Sequence, residues 1–185
     1  MKLALIGVGL IGASAAAAFR QAGVVGDAVG FDADPAAAGR GVALGLLDRA
    51  ADSIGAAVRD ADLILLAVPV GAMPAVLAEV AAHAPPFAVI TDVGSTKRSV
   101  VEAARTALSA NSSFSFRRFV PAHPIAGGEL PGVEHASAAL FRGKRLITTP
   151  VEATHPDALA RVEAAWAAAG ADVCRMDPDE PIPGT

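Results

Sequence analysis

Residues 3–19 have the sequence LALIGVGLIGASAAAAF. The apolar run at residues 3–6 is typical of a strand buried on both faces of a parallel sheet. Gly7 ends this run, and from residue 10 to 22 the apolar side chains recur at helical spacing, with Gly23 as a stop signal. Because glycines interrupt the stretch, it lacks the roughly 20 consecutive apolar residues of a membrane helix. The stretch therefore predicts a buried strand, a tight turn and a helix.

The same alternation of strand and helix continues along the chain. Further strands are predicted at residues 28–31, 63–67, 87–91, 119–121, 145–149 and 172–175. Longer helices are predicted at residues 35–46, 73–84, 96–109 and 156–169. This pattern favours an α/β fold with a doubly wound, mostly parallel sheet.

The glycines of the first turn have the spacing G-x-G-x-x-G, at Gly7, Gly9 and Gly12. The motif alone is weak, but here it follows a strand and opens a helix, the context of a dinucleotide-binding Rossmann domain. Gly7 permits the turn, Gly9 lets a pyrophosphate approach the backbone, and Gly12 lets the helix pack against the strand. The N–H groups of Leu10 and Ile11 would then face the phosphates.

Asp32 lies twenty residues after Gly12, at the end of the second predicted strand. A carboxylate at this place can accept hydrogen bonds from both ribose hydroxyls and would repel a 2′-phosphate, so NAD is favoured over NADP. Asp34 adds negative charge, and the nearest arginine, Arg40, lies inside a predicted helix. The alternative is a glycine-rich turn that binds no ligand.

Three residues after the strand at 63–67 are candidates for the cofactor pocket. In open α/β sheets ligands bind at the carboxyl ends of strands. Val68, Pro69 and Val70 could therefore line the nicotinamide ribose or adenine pocket. The alternative is that they form only the corner between a strand and a helix, and for Val70 this alternative is as well supported.

The segment TDVGSTK, residues 91–97, ends another strand and begins another helix. Ser95 or Thr96 can cap that helix. Ser95 would also face the cofactor crevice, where its hydroxyl could bind a substrate oxygen. Lys97 would lie close to the helix start, where the dipole disfavours a cation, and this hints weakly at an anionic partner.

The segment HPIAGGE, residues 123–129, places one histidine before a proline and a pair of glycines. Pro124 restricts His123 to extended geometry. Gly127 and Gly128 let the loop pass close to a ligand. A histidine can accept a proton near neutral pH, although a lone histidine in a loop is often only a surface residue.

The motifs GLIGAS, AVP, DVGSTK and HPIAGGE occur in this order, and together they resemble the prephenate/arogenate dehydrogenase family of tyrosine biosynthesis. The resemblance implies NAD(P)-dependent oxidation of prephenate to 4-hydroxyphenylpyruvate, or of arogenate to tyrosine, with loss of carbon dioxide and without a metal. It implies that His123 accepts the hydroxyl proton and that Ser95 orients the hydroxyl. Glu129 and Lys97 would lie near the substrate.

The resemblance also predicts a division of the chain. Residues 1–176 would form the Rossmann domain, and residues 177–185 would begin a helical domain that is otherwise missing. In the family that domain supplies homodimer contacts and the basic groups that hold the substrate carboxylates. We therefore expect little turnover by this chain alone.

Composition narrows the remaining classes of partner. The net charge is −4 and no basic stripe is present, so nothing favours nucleic acid. The single cysteine, Cys174, excludes an intramolecular disulfide and fits a reducing, cytoplasmic compartment.

Two alternatives to a prephenate or arogenate dehydrogenase stay open. One is a non-catalytic NAD-binding module. The other is a dehydrogenase of the hydroxyisobutyrate or imine-reductase type, in which the HPIAG segment would have no role.

Overall fold

The structure is a computed structural model that describes residues 1–109, 116–128 and 130–177. The strands are β1 (Lys2–Ile6), β2 (Asp27–Phe31), β3 (Arg49–Ala50), β4 (Leu63–Leu66), β5 (Val89–Asp92), β6 (Phe119–Val120), β7 (Ala122–Pro124), β8 (Arg145–Thr148) and β9 (Asp172–Arg175). The helices are α1 (Leu10–Gln21), α2 (Pro35–Ala43), α3 (Ile54–Val58), α4 (Met73–His83), α5 (Lys97–Ser109) and α6 (Pro156–Ala168). Short 3₁₀ helices lie at Val70–Ala72, Phe116–Arg118 and Val133–His135.

The larger sheet has the order β3-β2-β1-β4-β5-β6, and all its strands are parallel. The strand order reverses between β1 and β4, which is where ligands bind in doubly wound sheets. The doubly wound, mostly parallel fold predicted from the sequence is therefore confirmed. A second sheet, β7-β8-β9, pairs β7 antiparallel to β8 and β8 parallel to β9.

Helices cover both faces of the larger sheet. On β1, Leu3 and Leu5 belong to one apolar cluster with α1, α2 and α6, whereas Ala4 and Ile6 belong to another with α3, α4 and α5. Successive side chains of a strand point to opposite faces, so a continuous apolar run fills both layers. This explains why residues 3–6 show no polar alternation.

Trp166 of α6 is the largest fully buried side chain in the described part of the chain. Its ring packs edge-on against Phe19 of α1, with centroids 4.9 Å apart, and against Phe141, with centroids 5.0 Å apart. Edge-to-face pairs at these distances add to the stabilisation from burial. Trp166 therefore joins α6 and the segment before β8 to the first helix.

A second contact fastens α6 to the smaller sheet. Glu163 accepts two hydrogen bonds from the Arg175 guanidinium, at 2.7 and 2.6 Å, and one from Thr148 Oγ1 at 3.0 Å. The Arg175 side chain holds the pKa of the Glu163 carboxyl below its usual value, mainly through this hydrogen bonding. These contacts join α6, β8 and β9.

Several sequence-based boundaries differ from the structure. The helix predicted to reach residue 46 ends at Ala43, because Gly45 takes a positive φ of 71° and turns the chain. The short strands β3 and β7 were not predicted, since the two residues of β3 are exposed and β7 ends in a proline, so neither shows an apolar run. Pro121 separates β6 from β7, and it cannot donate to a strand ladder. Residues 178–185 lie outside the described part, so the predicted domain start at 177 stays a prediction.

No helix in the described ranges is long and apolar enough to cross a membrane.

Replacing Trp166 by alanine should lower the free energy of unfolding by about 3–5 kcal/mol, because the change leaves a large cavity between α1 and α6. Urea unfolding followed by circular dichroism measures this, since Trp166 is the sole tryptophan and its fluorescence is lost. Phe87→Ala is the matched control, because Phe87 is 52% exposed and should cost much less. Equal losses in the two variants would contradict the role given to Trp166.

Candidate active site

The first turn is built on a close approach between the ends of β1 and β4. Gly7 has a φ of 98°, and a Cβ on it would collide with the carbonyl oxygen of Ala67. A Cβ on Gly12 would lie 2.8 Å from Leu5 Cδ1 and 2.8 Å from Ala67 Cβ. Any larger residue at these positions would push α1 away from the sheet. The glycines therefore fix where the helix begins.

The N-terminus of α1 is open. Gly9 is its N-cap residue, and within the described ranges no side chain caps the helix and no acidic residue lies in its first turn. A Cβ on Gly9 would meet no atom within 4 Å, so space lies in front of the helix. The first N–H groups of a helix lack intrahelical acceptors and attract anions. Leu10 and Ile11 thus offer backbone donors to a phosphate group.

Asp32 lies beside this turn at the end of β2. Its Oδ2 accepts a hydrogen bond from the Val8 N–H at 2.7 Å, and its Oδ1 accepts one from the Asp34 N–H at 2.9 Å. The carboxylate is partly exposed. Each carboxylate oxygen has two acceptor sites, so both oxygens can still accept a hydroxyl. The carboxylate is therefore held in one orientation with capacity for a diol.

The segment after β4 forms the corner between this strand and α4. Pro69 is exposed and precedes the 3₁₀ helix Val70–Ala72, which leads into α4. Val68 lies next to the turn, with its Cγ1 3.1 Å from the position of a Gly7 Cβ. Val70 lies next to the segment after β5, with its Cγ2 3.5 Å from the position of a Gly94 Cβ. Val68 and Val70 thus span the edge between the glycine turn and the DVGSTK segment.

Asp92, the last residue of β5, is fully buried. Its Oδ2 accepts from the Gly94 N–H at 2.8 Å, and its Oδ1 accepts from the Ala122 N–H at 3.0 Å. Burial of a carboxylate is costly unless hydrogen bonds satisfy it. Ser95 and His123 each follow one of these two donors in the chain. One carboxylate therefore holds the turn of Ser95 and the strand of His123 together.

His123 lies in β7, opposite Ile147 of β8, and is 8% exposed. The extended geometry predicted from Pro124 is what the structure has. The loop that follows runs towards α1, because a Cβ on Gly128 would lie 2.9 Å from Leu10 Cδ2. The histidine loop and the N-terminal end of α1 therefore lie at the same edge of the sheet.

The remaining predicted site residues are less completely described. Ser95 is exposed in the turn before α5. Lys97 is the first residue of α5, but its side chain lies outside the described part, and so does Glu129. Among the residues that the structure describes, no group of three or more His, Cys, Asp or Glu could hold a metal ion.

Asp92 was not predicted as a site residue, although the sequence carries a signal for it. An acidic residue at the end of an apolar strand, in the run VITD, is unusual for a strand buried on both faces. Its two acceptors could have been matched to the backbone donors that a following turn exposes. The partner on β7 could not have been identified, because that strand was itself not predicted.

The amino-acid sequence is similar to those of known proteins. The family model described as "Prephenate dehydrogenase, nucleotide-binding domain" matches residues 15–175. The chain is 36% identical over 174 residues to the cyclohexadienyl dehydrogenase of Zymomonas mobilis, covering 94% of this chain and 57% of that protein. It is 33% identical over 177 residues to the prephenate dehydrogenase of Bacillus subtilis, covering 95% of this chain and 46% of that protein. The chain thus spans about half the length of these curated relatives.

The fold is also similar to that of a solved structure. The prephenate dehydrogenase of Aquifex aeolicus, in complex with hydroxyphenyl propionate and NAD⁺, superposes with a TM-score of 0.87 at 31% identity, over 97% of this chain and 60% of that one. The family match begins inside α1 and covers β2 to β9, α2 to α6 and the loop of His123. The chain belongs to the prephenate dehydrogenase family, as its nucleotide-binding domain.

Proposed function

We propose that this chain binds NAD at the carboxyl edge of β1, β4 and β5 and supplies the proton acceptor, His123, for the oxidation of prephenate. The observation that carries the proposal is the shared hydrogen bonding of Asp92. It fastens the strand of His123 to the turn of Ser95, at the edge where α1 begins. The Aquifex aeolicus relative, whose structure contains hydroxyphenyl propionate and NAD⁺, supports the binding of NAD here.

The groups at the first turn fit a dinucleotide. The N–H groups of Leu10 and Ile11 would bind the pyrophosphate, and the open space at Gly9 leaves room for it. Asp32 would accept from the adenosine ribose hydroxyls. Together with Asp34 it would repel a 2′-phosphate, so we propose NAD over NADP. Val68, Pro69 and Val70 would line the pocket farther along the edge.

The reaction places one clear demand on the protein. NAD, when bound, accepts a hydride from the ring carbon that carries the hydroxyl. Loss of hydride makes that hydroxyl strongly acidic, and the imidazole of His123 takes its proton. Ser95 would hydrogen-bond the same oxygen. When the ring carboxylate leaves as carbon dioxide, its electron pair makes the ring aromatic, and His123 returns the proton to the phenolate oxygen.

The ring hydroxyl end is common to prephenate and arogenate, which differ in a keto or an amino group on the side chain. His123 and Ser95 act at the hydroxyl, so they suit both molecules, and arogenate is the alternative substrate.

The side chains of Glu129 and Lys97 are proposed to lie near the substrate. We further propose that the basic groups for the carboxylates, and the homodimer contacts, belong to the half of the relatives that this chain does not match. A cytoplasmic location stays a prediction.

Calorimetric titration of the chain should give tighter binding of NAD than of NADP. Asp32→Asn should weaken NAD binding about tenfold or more, because charge-assisted hydrogen bonds to the ribose are lost. It should also reduce the preference over NADP. Asp157→Asn, at a side chain that is 88% exposed on α6, is the control and should change neither affinity. Equal or tighter binding of NADP by the unaltered chain would refute the assignment.

His123→Asn should slow NADH formation from prephenate by about 100- to 10,000-fold, the usual contribution of a general base. The assay uses this chain followed by the unmatched part of the Zymomonas mobilis relative, with absorbance of NADH as the readout. NAD affinity should stay within about twofold, because His123 does not hold the dinucleotide. His135→Asn, at an exposed histidine, should keep full activity. A His123 variant that keeps most of its rate would leave only the non-catalytic, NAD-binding alternative.

Asp92→Asn should lower the free energy of unfolding by about 1–3 kcal/mol, because the amide NH₂ would face a backbone N–H donor. Chemical denaturation monitored by tryptophan fluorescence tests this. Asp62→Asn is the control, since Asp62 accepts one bond from the Lys2 N–H at a partly exposed position and should cost less. If the Asp92 change were neutral, the explanation of how His123 is held would be wrong.

A further inference from the structure

Arg40 of α2 is held between two carboxylates. Its Nε lies 2.5 Å from Glu134 Oε1, and its Nη2 lies 3.6 Å from Asp34 Oδ2. The Arg40 side chain is 46% exposed, so the guanidinium lies at the surface next to the loop that carries Asp32. We call these three residues, Asp34, Arg40 and Glu134, the Arg40 cluster.

Glu134 reaches this cluster from a distant part of the sequence. It lies in the 3₁₀ helix Val133–His135, which follows the loop of His123 and packs against α1 and α2. Val133 is 1% exposed, and the Ser137 N–H donates to the fully buried Ser14 Oγ at 2.9 Å. The backbone on both sides of Glu134 is therefore anchored to the rest of the domain. The side chain is presented to Arg40 by a fixed segment rather than by a free loop.

This contact bears on the choice of dinucleotide. Arg40 is the first basic residue after Asp32 in the sequence, and an arginine near this position accommodates a 2′-phosphate in NADP-binding domains. Here the guanidinium forms an ion pair with Glu134 instead. Asp34 is the second carboxylate beside it, and the Asp34 N–H donates to Asp32. A 2′-phosphate on the ribose would therefore lie close to an excess of carboxylates, and the nearby arginine would already be paired with Glu134.

We propose that Glu134 is a specificity-determining residue that acts through Arg40 and disfavours NADP by holding the guanidinium away from the 2′-phosphate. The inference rests on the proposed binding of NAD at Asp32, and it adds a residue from outside the nucleotide-binding motif. In this proposal Glu134 acts on Arg40 and not on the dinucleotide, so it is a positioning residue. Its effect should therefore depend on the presence of Arg40.

The test is a double-mutant cycle on dinucleotide affinity, measured by calorimetric titration of the chain at low ionic strength, where screening is weak. Glu134→Gln should tighten NADP binding about three- to tenfold, because it frees Arg40 and removes one negative charge. NAD binding should change less than about twofold. Glu134 is chosen over Asp34 because the Asp34 side chain caps α2, accepting from the Ala36 N–H at 3.0 Å.

The second arm of the cycle uses Arg40→Ala. In this background Glu134→Gln should give at most a small gain in NADP affinity, because no guanidinium remains to be released. Glu102→Gln is the matched control: it removes one exposed carboxylate on α5, in the opposite helical layer, and should leave both affinities unchanged. Thermal unfolding checks that each variant is folded.

The outcomes separate the two proposals. A gain in NADP affinity that requires Arg40 supports the inference. An unchanged NADP affinity in Glu134→Gln, or an equal gain with and without Arg40, overturns it while NAD binding itself stands. If the unaltered chain binds neither dinucleotide, the proposed function fails, and the inference fails with it.

Discussion

The close contact between the start of α1 and the ends of β1 and β4 is the constraint on which the rest of the site depends. Gly7 and Gly12 leave no room for a side chain between the helix, Leu5 and Ala67. The helix therefore begins directly above the point where the strand order reverses. Its uncapped N–H groups face the crevice where doubly wound sheets bind their ligands. A larger residue at either glycine would displace the helix and the anion-binding end with it.

Two carboxylates then fasten the loops around this helix. Asp32 accepts from the Val8 N–H and so ties the end of β2 to the glycine turn. Asp92 accepts from Gly94 and Ala122 and so ties the end of β5 to the strand of His123. Both use backbone N–H groups as donors, which a change of side chain in the loops would not remove. The segments at the ends of β2 and β5 are thus both positioned by a carboxylate that accepts backbone hydrogen bonds.

The parts that sequence predicted well are those decided by local pattern. The glycine turn, α1, β1 and β4 follow from apolar runs and from glycine spacing over a few residues. The loop of His123 was placed correctly at an extended segment, because Pro124 acts on its neighbour. The acceptor role of His123 came from the family resemblance, and it stays a proposal.

The features that could not be predicted from the sequence depend on contacts between residues that are far apart in the chain. The strand β7 has three residues and one proline, and it exists because β8 pairs with it. Asp92 and Ala122 are thirty residues apart, and Arg40 and Glu134 are farther apart still. No periodicity signals such pairs, since each depends on how the whole sheet brings loops together. This is why the glycine motif could be identified from the sequence, whereas the residues that hold His123 and Arg40 could not.

The most direct measurement of the central claim is a crystal structure of the chain with NAD bound. We predict the pyrophosphate on the N–H groups of Leu10 and Ile11, both adenosine ribose hydroxyls on Asp32, and the nicotinamide at the edge that carries His123 and Ser95. A dinucleotide bound away from the start of α1, or with its nicotinamide pointing away from His123, would contradict the claim.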